Sequence, residues 1–336
     1  RYTQDKQDAN ICSRDVDGSM LVNLNVTNRY LYALRYGVAI IDNVDFNGCS
    51  TTRIDWTTNT ATRGEVITSL DEDNVAWRLA LNWNVTDDVL LFGSVSQGAK
   101  SGGAPVNTAS LYEQNLPVGQ EQLLAYEVGV KAALFERRLQ ANISAFYYDY
   151  TDKQMSTYNP DALYTALARL QNIPESFAYG IDGEITMRPT DNFTLNAAAT
   201  FLHTEIDGFV GTDGAGLPRD YDGAKFLYSP EFQGSVTAMY NRDLTDSLGF
   251  KAMVNARYQA KSQADLEGNP LYEIPSYGLV NASVGVESLD GRWELSAWAR
   301  NLTDEYYWTA VASNANTVVR FAGQPRTMGL TLTVKY

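Results

Sequence analysis

Arg326-Thr-Met-Gly-Leu-Thr-Leu-Thr-Val-Lys-Tyr336 is the stretch on which the fold of this chain is decided. Met328, Leu330, Leu332, Val334 and Tyr336 share one face of an extended strand, and Thr327, Gly329, Thr331, Thr333 and Lys335 share the other, because side chains alternate across a strand. One face is wholly apolar, the other is polar, and the segment closes on an aromatic residue. A soluble sheet rarely ends in this way. A transmembrane β-barrel strand does, with its apolar face against lipid, its polar face on a wet lumen and Tyr336 in an interfacial aromatic girdle.

The same alternation recurs through the chain. Trp77, Leu79, Leu81, Trp83 and Val85 oppose Arg78, Ala80, Asn82 and Asn84. The segments 124–134, 139–148, 193–201, 232–240, 248–258, 280–286 and 293–299 repeat it, while 89–97 and 181–188 fit less cleanly. Short turn-like connections at 86–88, 135–137, 189–192, 243–246 and 289–291 alternate with long Gly-, Asn-, Asp- and Tyr-rich ones at 7–73, 101–118, 154–171, 207–228, 261–274 and 307–323. Strict short–long alternation is the layout of an outer-membrane barrel. The expected fold is all-β, an antiparallel transmembrane outer-membrane β-barrel with about twelve strands, opening on Arg1–Lys6 as the outer end of a strand. The polar faces carry Glu127, Lys131, Asp182, Glu184, Lys251, Arg257, Glu294 and Arg300. Those charges would be costly in a packed core but cost little along a lumen, which argues against a soluble sandwich or solenoid.

Composition excludes other classes. The 336 residues carry 26 Lys+Arg against 40 Asp+Glu, a net charge of −14, and nucleic-acid binding needs a basic face. Mean hydropathy is −0.28, and no apolar run reaches the ~20 residues of a membrane helix. A barrel strand escapes such a scan, since it crosses with ~9–11 residues of which half are polar. Cys12 and Cys49 lie in the long segment 7–73, flanked by the turn-type residues Asn10, Ser13, Gly48 and Ser50. In a periplasm-exposed or secreted context they are expected to form a disulfide, worth ~3–4 kcal/mol on the chain-entropy model. Alternating stretches around 20–26 and 30–41 suggest an extracellular hairpin within that segment.

Catalysis finds little support. His203 is the one histidine and shares parity with Phe193, Leu195 and Phe201, which places it on the lipid face near the outer rim rather than in a triad. A zinc constellation cannot be assembled from one histidine and two paired cysteines. Gly93-Ser-Val-Ser-Gln-Gly-Ala-Lys-Ser101 approaches a phosphate-binding loop but lacks its spacing and its following helix, and reads as a strand entering a loop. Asp207, Asp213, Asp220 and Asp222 read first as a solvated acidic loop and only second as a divalent-cation site, since their spacing is not that of an EF-hand. The best binding candidates are the aromatic and basic residues of the long loops, Tyr158, Tyr164, Tyr221, Arg320 and Phe321, with Arg257 on the lumen wall. Tyr228 and Trp308 fit an interfacial girdle equally well, because both combine large apolar area with a polar handle.

Asn301-Leu-Thr-Asp-Glu-Tyr-Tyr307, a long loop, then Gly323-Gln-Pro-Arg-Thr-Met-Gly-Leu330 and a terminal aromatic resemble the C-terminal signature of TonB-dependent outer-membrane receptors. So do 86–103, Tyr126-Glu-Val-Gly-Val-Lys131, Ala145-Phe-Tyr-Tyr-Asp-Tyr150, Tyr179-Gly-Ile-Asp-Gly-Glu184 and Arg188-Pro-Thr-Asp191, in the order that the family has them. The resemblance implies the second half of a 22-stranded barrel, with Tyr336 as the aromatic read in barrel assembly. It also implies a plug domain carrying the TonB contact. Neither plug nor TonB box is in this sequence, so both are expected from a longer polypeptide or a second chain, which would also cover the two strand edges that lipid does not tolerate. The function implied is TonB-dependent uptake of a large scarce nutrient, most often a ferric siderophore. The partners implied are TonB, outer-membrane lipid and lipopolysaccharide, with no nucleic acid, resident cofactor, structural metal or enzymatic activity. A passive porin, or a structural half-barrel in a two-chain assembly, are the alternatives.

Overall fold

The computed structural model describes residues 1–105, 111–161, 165–314 and 317–335. Tyr164 and Tyr336 lie outside them. Eleven strands form one antiparallel sheet in sequence order: Trp77–Thr86, Val89–Lys100, Glu121–Leu134, Leu139–Asp161, Thr165–Thr190, Phe193–Asp207, Phe232–Asp243, Leu248–Gln259, Tyr277–Ser288, Trp293–Arg300 and Thr327–Val334. A further strand, Tyr2–Ile11, pairs with Val66–Val75, which runs through Ala76 into Trp77–Thr86. Counting Val66–Thr86 as one long strand, the wall has the twelve strands that the alternation predicts. The eleven-stranded sheet ends on Trp77–Thr86 and Thr327–Val334, which do not pair with each other among the described residues, so this is a partial barrel wall. No helix among the described residues is long and apolar enough to cross a membrane.

The register carries the two-faced pattern from strand to strand. Leu79, Val95, Tyr126, Tyr147, Tyr179 and His203 are successive cross-strand partners on one face. Near them His203 lies 4.9 Å from the Tyr179 ring and 6.4 Å from Phe177. This aromatic row marks the outer interface, and it includes the single histidine where parity placed it. Below it the same face presents Leu81, Val128, Ile143, Ile181, Val236, Val254, Val284 and Leu330, all largely exposed. Exposed apolar side chains over so many strands are what lipid, not water, would cover.

The opposite face is polar or ring-filled. Phe92, Gly129, Ser144, Asp182, Thr200, Gln233, Gln259 and Tyr277 pair across it in one row. Lys251 bonds Glu287 and lies 3.8 Å from Glu294. Glycine has a packing role here: a Cβ on Gly129 would sit 2.5 Å from the Phe92 ring and 2.6 Å from the Ile143 carbonyl. Gly129→Ala is therefore expected to cost ~1–3 kcal/mol through overpacking, read as a lower urea midpoint in vesicles. Adding Phe92→Leu should recover only part, because the Ile143 carbonyl is backbone and cannot move aside.

The outer connections differ from the sequence reading in three places. Strands Tyr2–Ile11 and Val66–Val75 continue well into the segment read as the loop 7–73, and strands Leu139–Asp161 and Thr165–Thr190 run through the segment read as the loop 154–171. Above the membrane no lipid enforces an apolar face, so apolar and polar side chains need not alternate along the ladder and the pattern that reveals it is lost. The third correction lies in 21–36, where the expected hairpin is instead a helical stretch, a π-type turn at Asn23–Thr27 followed by an α-helix at Asn28–Tyr36. Tyr32 and Tyr36, one turn apart, meet at 5.7 Å, and Gly37 closes the helix at φ 66° with its N–H on the Ala33 carbonyl. Segments Ala39–Ile40, Thr60–Arg63 and Thr52–Asp55 add a three-stranded sheet. Tyr32, Val38, Ile40, Ala61 and, from the next loop, Leu111 form the core of this small outer unit. The expected disulfide is present, joining Cys12 to Cys49 with Cα atoms 5.5 Å apart.

Candidate functional site

Beyond the aromatic row the connections fold over the lumen side and build an outer vestibule. Its packed floor is Met155, Ile173, Ala178, Ile206, Phe209, Tyr221 and Phe226. Strand parity explains the donors: Ile206 and Thr204 continue the lumen face of Phe193–Asp207, and the returning segment docks on them through Phe226 N–H to Thr204 Oγ1 and Ile206 N–H to the Ala224 carbonyl. Lys153 lies over the rings of Tyr150 and Phe226, at 3.7 and 4.6 Å, with its ammonium 3.8 Å from Glu121. Burial lowers the Lys153 pKa, and Glu121 opposes the shift. Since both partners are mostly covered, at 16% and 12% exposed, removing one leaves a poorly solvated charge. Glu121→Gln is expected to loosen the vestibule floor by ~1–3 kcal/mol. Glu121→Gln with Lys153→Met should recover most of it. Amide exchange in 150–155 and 170–178 checks both.

Between this floor and segment 260–276 lies a cleft of about 440 Å³. Short pairings position its far wall: Ser262–Gln263 pairs with Glu273–Ile274, and the Tyr228 N–H donates to the Gln263 carbonyl. Six carboxylates and three basic side chains line it. Arg219 lies 3.9 Å from Glu267, Lys261 lies 3.1 Å from Glu273, and Lys225 bonds Glu231. The Lys225 hydrogen bond holds Glu231 below the usual carboxylate range. Glu267 also accepts the Gly214 N–H at 2.6 Å. Burial raises the Asp265 carboxyl above the ordinary range, and burial, with Glu267 adding to it, pushes the Tyr221 hydroxyl up to about 12. Asp213, Asp220 and Asp222 accept backbone N–H groups of their own loop. No group of three or more His, Cys, Asp or Glu suited to a metal ion occurs among the described residues.

The structure brings together only some of the predicted binding residues. Tyr221 is 3% exposed, stacks on Phe209 at 5.9 Å and donates to the Thr212 carbonyl. It is cleft floor. Tyr158 is half-buried behind the same cleft, its hydroxyl pushed up by burial and by Tyr272, Glu267 and Asp265. Arg320 lies 5.0 Å over the Trp308 ring and donates to the Leu271 carbonyl, on the back of segment 260–276. Phe321 is half-exposed on the hairpin that carries Arg320. Arg257 sits lower on the wall, donating to the Tyr277 hydroxyl at 3.2 Å, beneath the Tyr277–Tyr307 stack at 4.6 Å. Tyr228 donates to the Val311 carbonyl, tying two loops together. Ser262, Gln263, Asp265 and Glu267 are cleft residues that a search for aromatics passes over. Their signal in sequence is only a polar loop.

A two-faced antiparallel wall with short turns at one end, tall loops at the other and an aromatic row between them defines an outer-membrane β-barrel. The description "TonB dependent receptor-like, beta-barrel" matches residues 2–302, and the chain belongs to that family, whose members here are transport receptors. The pesticin receptor of Yersinia pestis is 23% identical over 267 residues, covering 79% of this chain and 37% of the relative. The ferric yersiniabactin uptake receptor of Yersinia pestis superposes with a TM-score of 0.67 at 18% identity, over 82% of this chain and 39% of that one. A siderophore receptor of Acinetobacter baumannii gives 0.62 at 18% identity, over 82% and 37%. The chain therefore spans well under half the length of these relatives, in keeping with a partial wall.

Proposed function

We propose that this chain is the wall, outer loops and part of the substrate vestibule of a receptor that takes up a ferric siderophore across the outer membrane with energy supplied through TonB. The observation that carries this reading is the family match over 2–302 on a wall whose lumen face holds Lys251, Glu287, Glu294 and Arg257 rather than a packed core. In this reading the plug and the contact with TonB belong to the rest of the receptor, on the same polypeptide or a second one, and the vestibule captures substrate before the plug moves. No step of bond chemistry is assigned to the chain, and lipopolysaccharide surrounds the aromatic row. The similar solved proteins include a ferric yersiniabactin uptake receptor and a siderophore receptor, and cargo of that class is proposed here.

Uptake of radioactive iron chelates by cells with and without the gene tests the reading. Accumulation that needs the gene, TonB and the proton gradient is the expected result. A passive porin would show gene-dependent entry that a protonophore leaves intact, and a structural half-barrel would show none; either result overturns the proposal.

A further inference from the structure

We propose that the cleft between the floor residues and segment 260–276 binds a ligand bearing a protonated amine, with Asp265 and Glu267 facing the charge and Ser262 Oγ and Gln263 Oε1 accepting its N–H groups. This rests on the uptake reading and adds to it the chemical class of the cargo: a ferric chelate with a pendent ammonium group rather than a polyanionic one.

Ser262 is 6% exposed and lines the cleft, yet its hydroxyl has no hydrogen-bond partner among the described residues; the same holds for the buried Gln263 Oε1. A buried polar atom without a partner costs free energy that an incoming donor returns. Both orphans can accept, and an ammonium group offers three donors and no acceptor. The charge around them has the matching sign, since carboxylates outnumber basic side chains two to one in the lining. Asp265 accepts the Asn269 N–H at 3.3 Å but has no salt-bridge partner among the described residues; burial raises its carboxyl above the ordinary range, a shift that a neighbouring cation opposes. Tyr221 and Phe226 form the apolar floor of the cleft, favourable to the apolar stem that carries the charge. An anionic chelate would meet the same carboxylates as repulsion.

The test uses the receptor purified from outer membranes and two probes: the ferric complex of a linear trihydroxamate with a free terminal amine, and the same complex N-acetylated. Titration calorimetry should show the amine form binding roughly tenfold or more tighter, with the preference shrinking as salt is raised. Asp265→Asn with Glu267→Gln should abolish the preference while leaving the acetylated form's affinity unchanged. Lys261→Gln, which removes an exposed positive charge at the cleft mouth, should strengthen amine binding, an effect that a misfolded loop cannot produce. Equal binding of the two probes, tighter binding of a ferric tris-catecholate, no binding of the amine form, or a weakening by Lys261→Gln overturns the assignment. TonB-dependent uptake of the acetylated or anionic chelate alone would overturn the cleft assignment and leave the transport reading standing. Amine-selective binding without energy-dependent uptake would do the reverse.

Discussion

Leu330→Arg is expected to destabilise the folded receptor by ~2–4 kcal/mol, the cost of a basic side chain at mid-membrane depth on the lipid face of a barrel strand. Leu330 is 77% exposed and pairs with Ala297, between Met328 and Leu332 on the same face. Its surroundings are therefore lipid and neighbouring apolar side chains, with nothing to receive a guanidinium. Thr331 is one residue further on and pairs with Ser296, where it accepts the Trp298 Nε1–H at 3.0 Å. Thr331→Arg loses that exposed hydrogen bond, at about 0.5–1.5 kcal/mol, but its charge reaches the lumen. Urea titration of the two variants folded into vesicles checks the contrast. Equal losses, or a larger loss at Thr331, would mean that the two faces are wrongly assigned.

Replacing Cys12 and Cys49 together by serine is expected to cost the outer unit ~3–4 kcal/mol on the chain-entropy model and to leave the membrane wall nearly unaffected. The bond closes a loop across a sequence separation of 37. The unit inside has a small core of Tyr32, Val38, Ile40, Ala61 and Leu111, and a unit of that size relies on staples. Around the bond, Ser50 N–H and Oγ both donate to the Ser13 carbonyl, Ser13 N–H donates to Thr51 Oγ1, Gly64 N–H donates to the Thr51 carbonyl and Arg14 lies 2.8 Å from Glu65. Limited proteolysis should cut the variant within 12–65 at concentrations that spare the native protein. The heat-modifiable gel shift of the barrel should persist. A variant that loses the gel shift as well would show the unit to be part of the barrel's own folding.

The fold was legible wherever one face meets lipid. There the period of two is enforced, which is why Leu79, Tyr126, Tyr147 and His203 could each be set on the apolar face of its strand before the register was known. Legibility stopped at the aromatic row. Gln7, Asp8, Asp71, Glu72 and Asp73 belong to paired strands but read as loop, because water accepts polar side chains on either face. The helical stretch 21–36 read as strand for a related reason: its short polar–apolar runs fit a period of two as well as 3.6, and only packing against Val38, Ile40 and Ala61 decides between them.

The candidate site divides in the same way. Aromatic residues of the long loops announced themselves by type; of these Tyr221 lines the cleft as buried floor, and Tyr158 does not line it. Arg320 and Phe321 sit on another hairpin and Arg257 on the wall. Ser262 and Gln263 gave no sign, since an unpaired hydroxyl or amide oxygen is a property of surroundings, not of residue type.

From the sequence by itself came the strand number, the sidedness of most membrane strands, the order of short and long connections and the pairing of the two cysteines, all of them dictated by local periodicity or by composition. Tertiary structure alone decided how far the strands rise above the membrane, that 21–36 is helical, and which loop residues converge. Those outcomes depend on contacts between segments such as 204–226 and 262–274, which touch only because the wall sets their strands side by side. No spacing within either segment encodes that meeting.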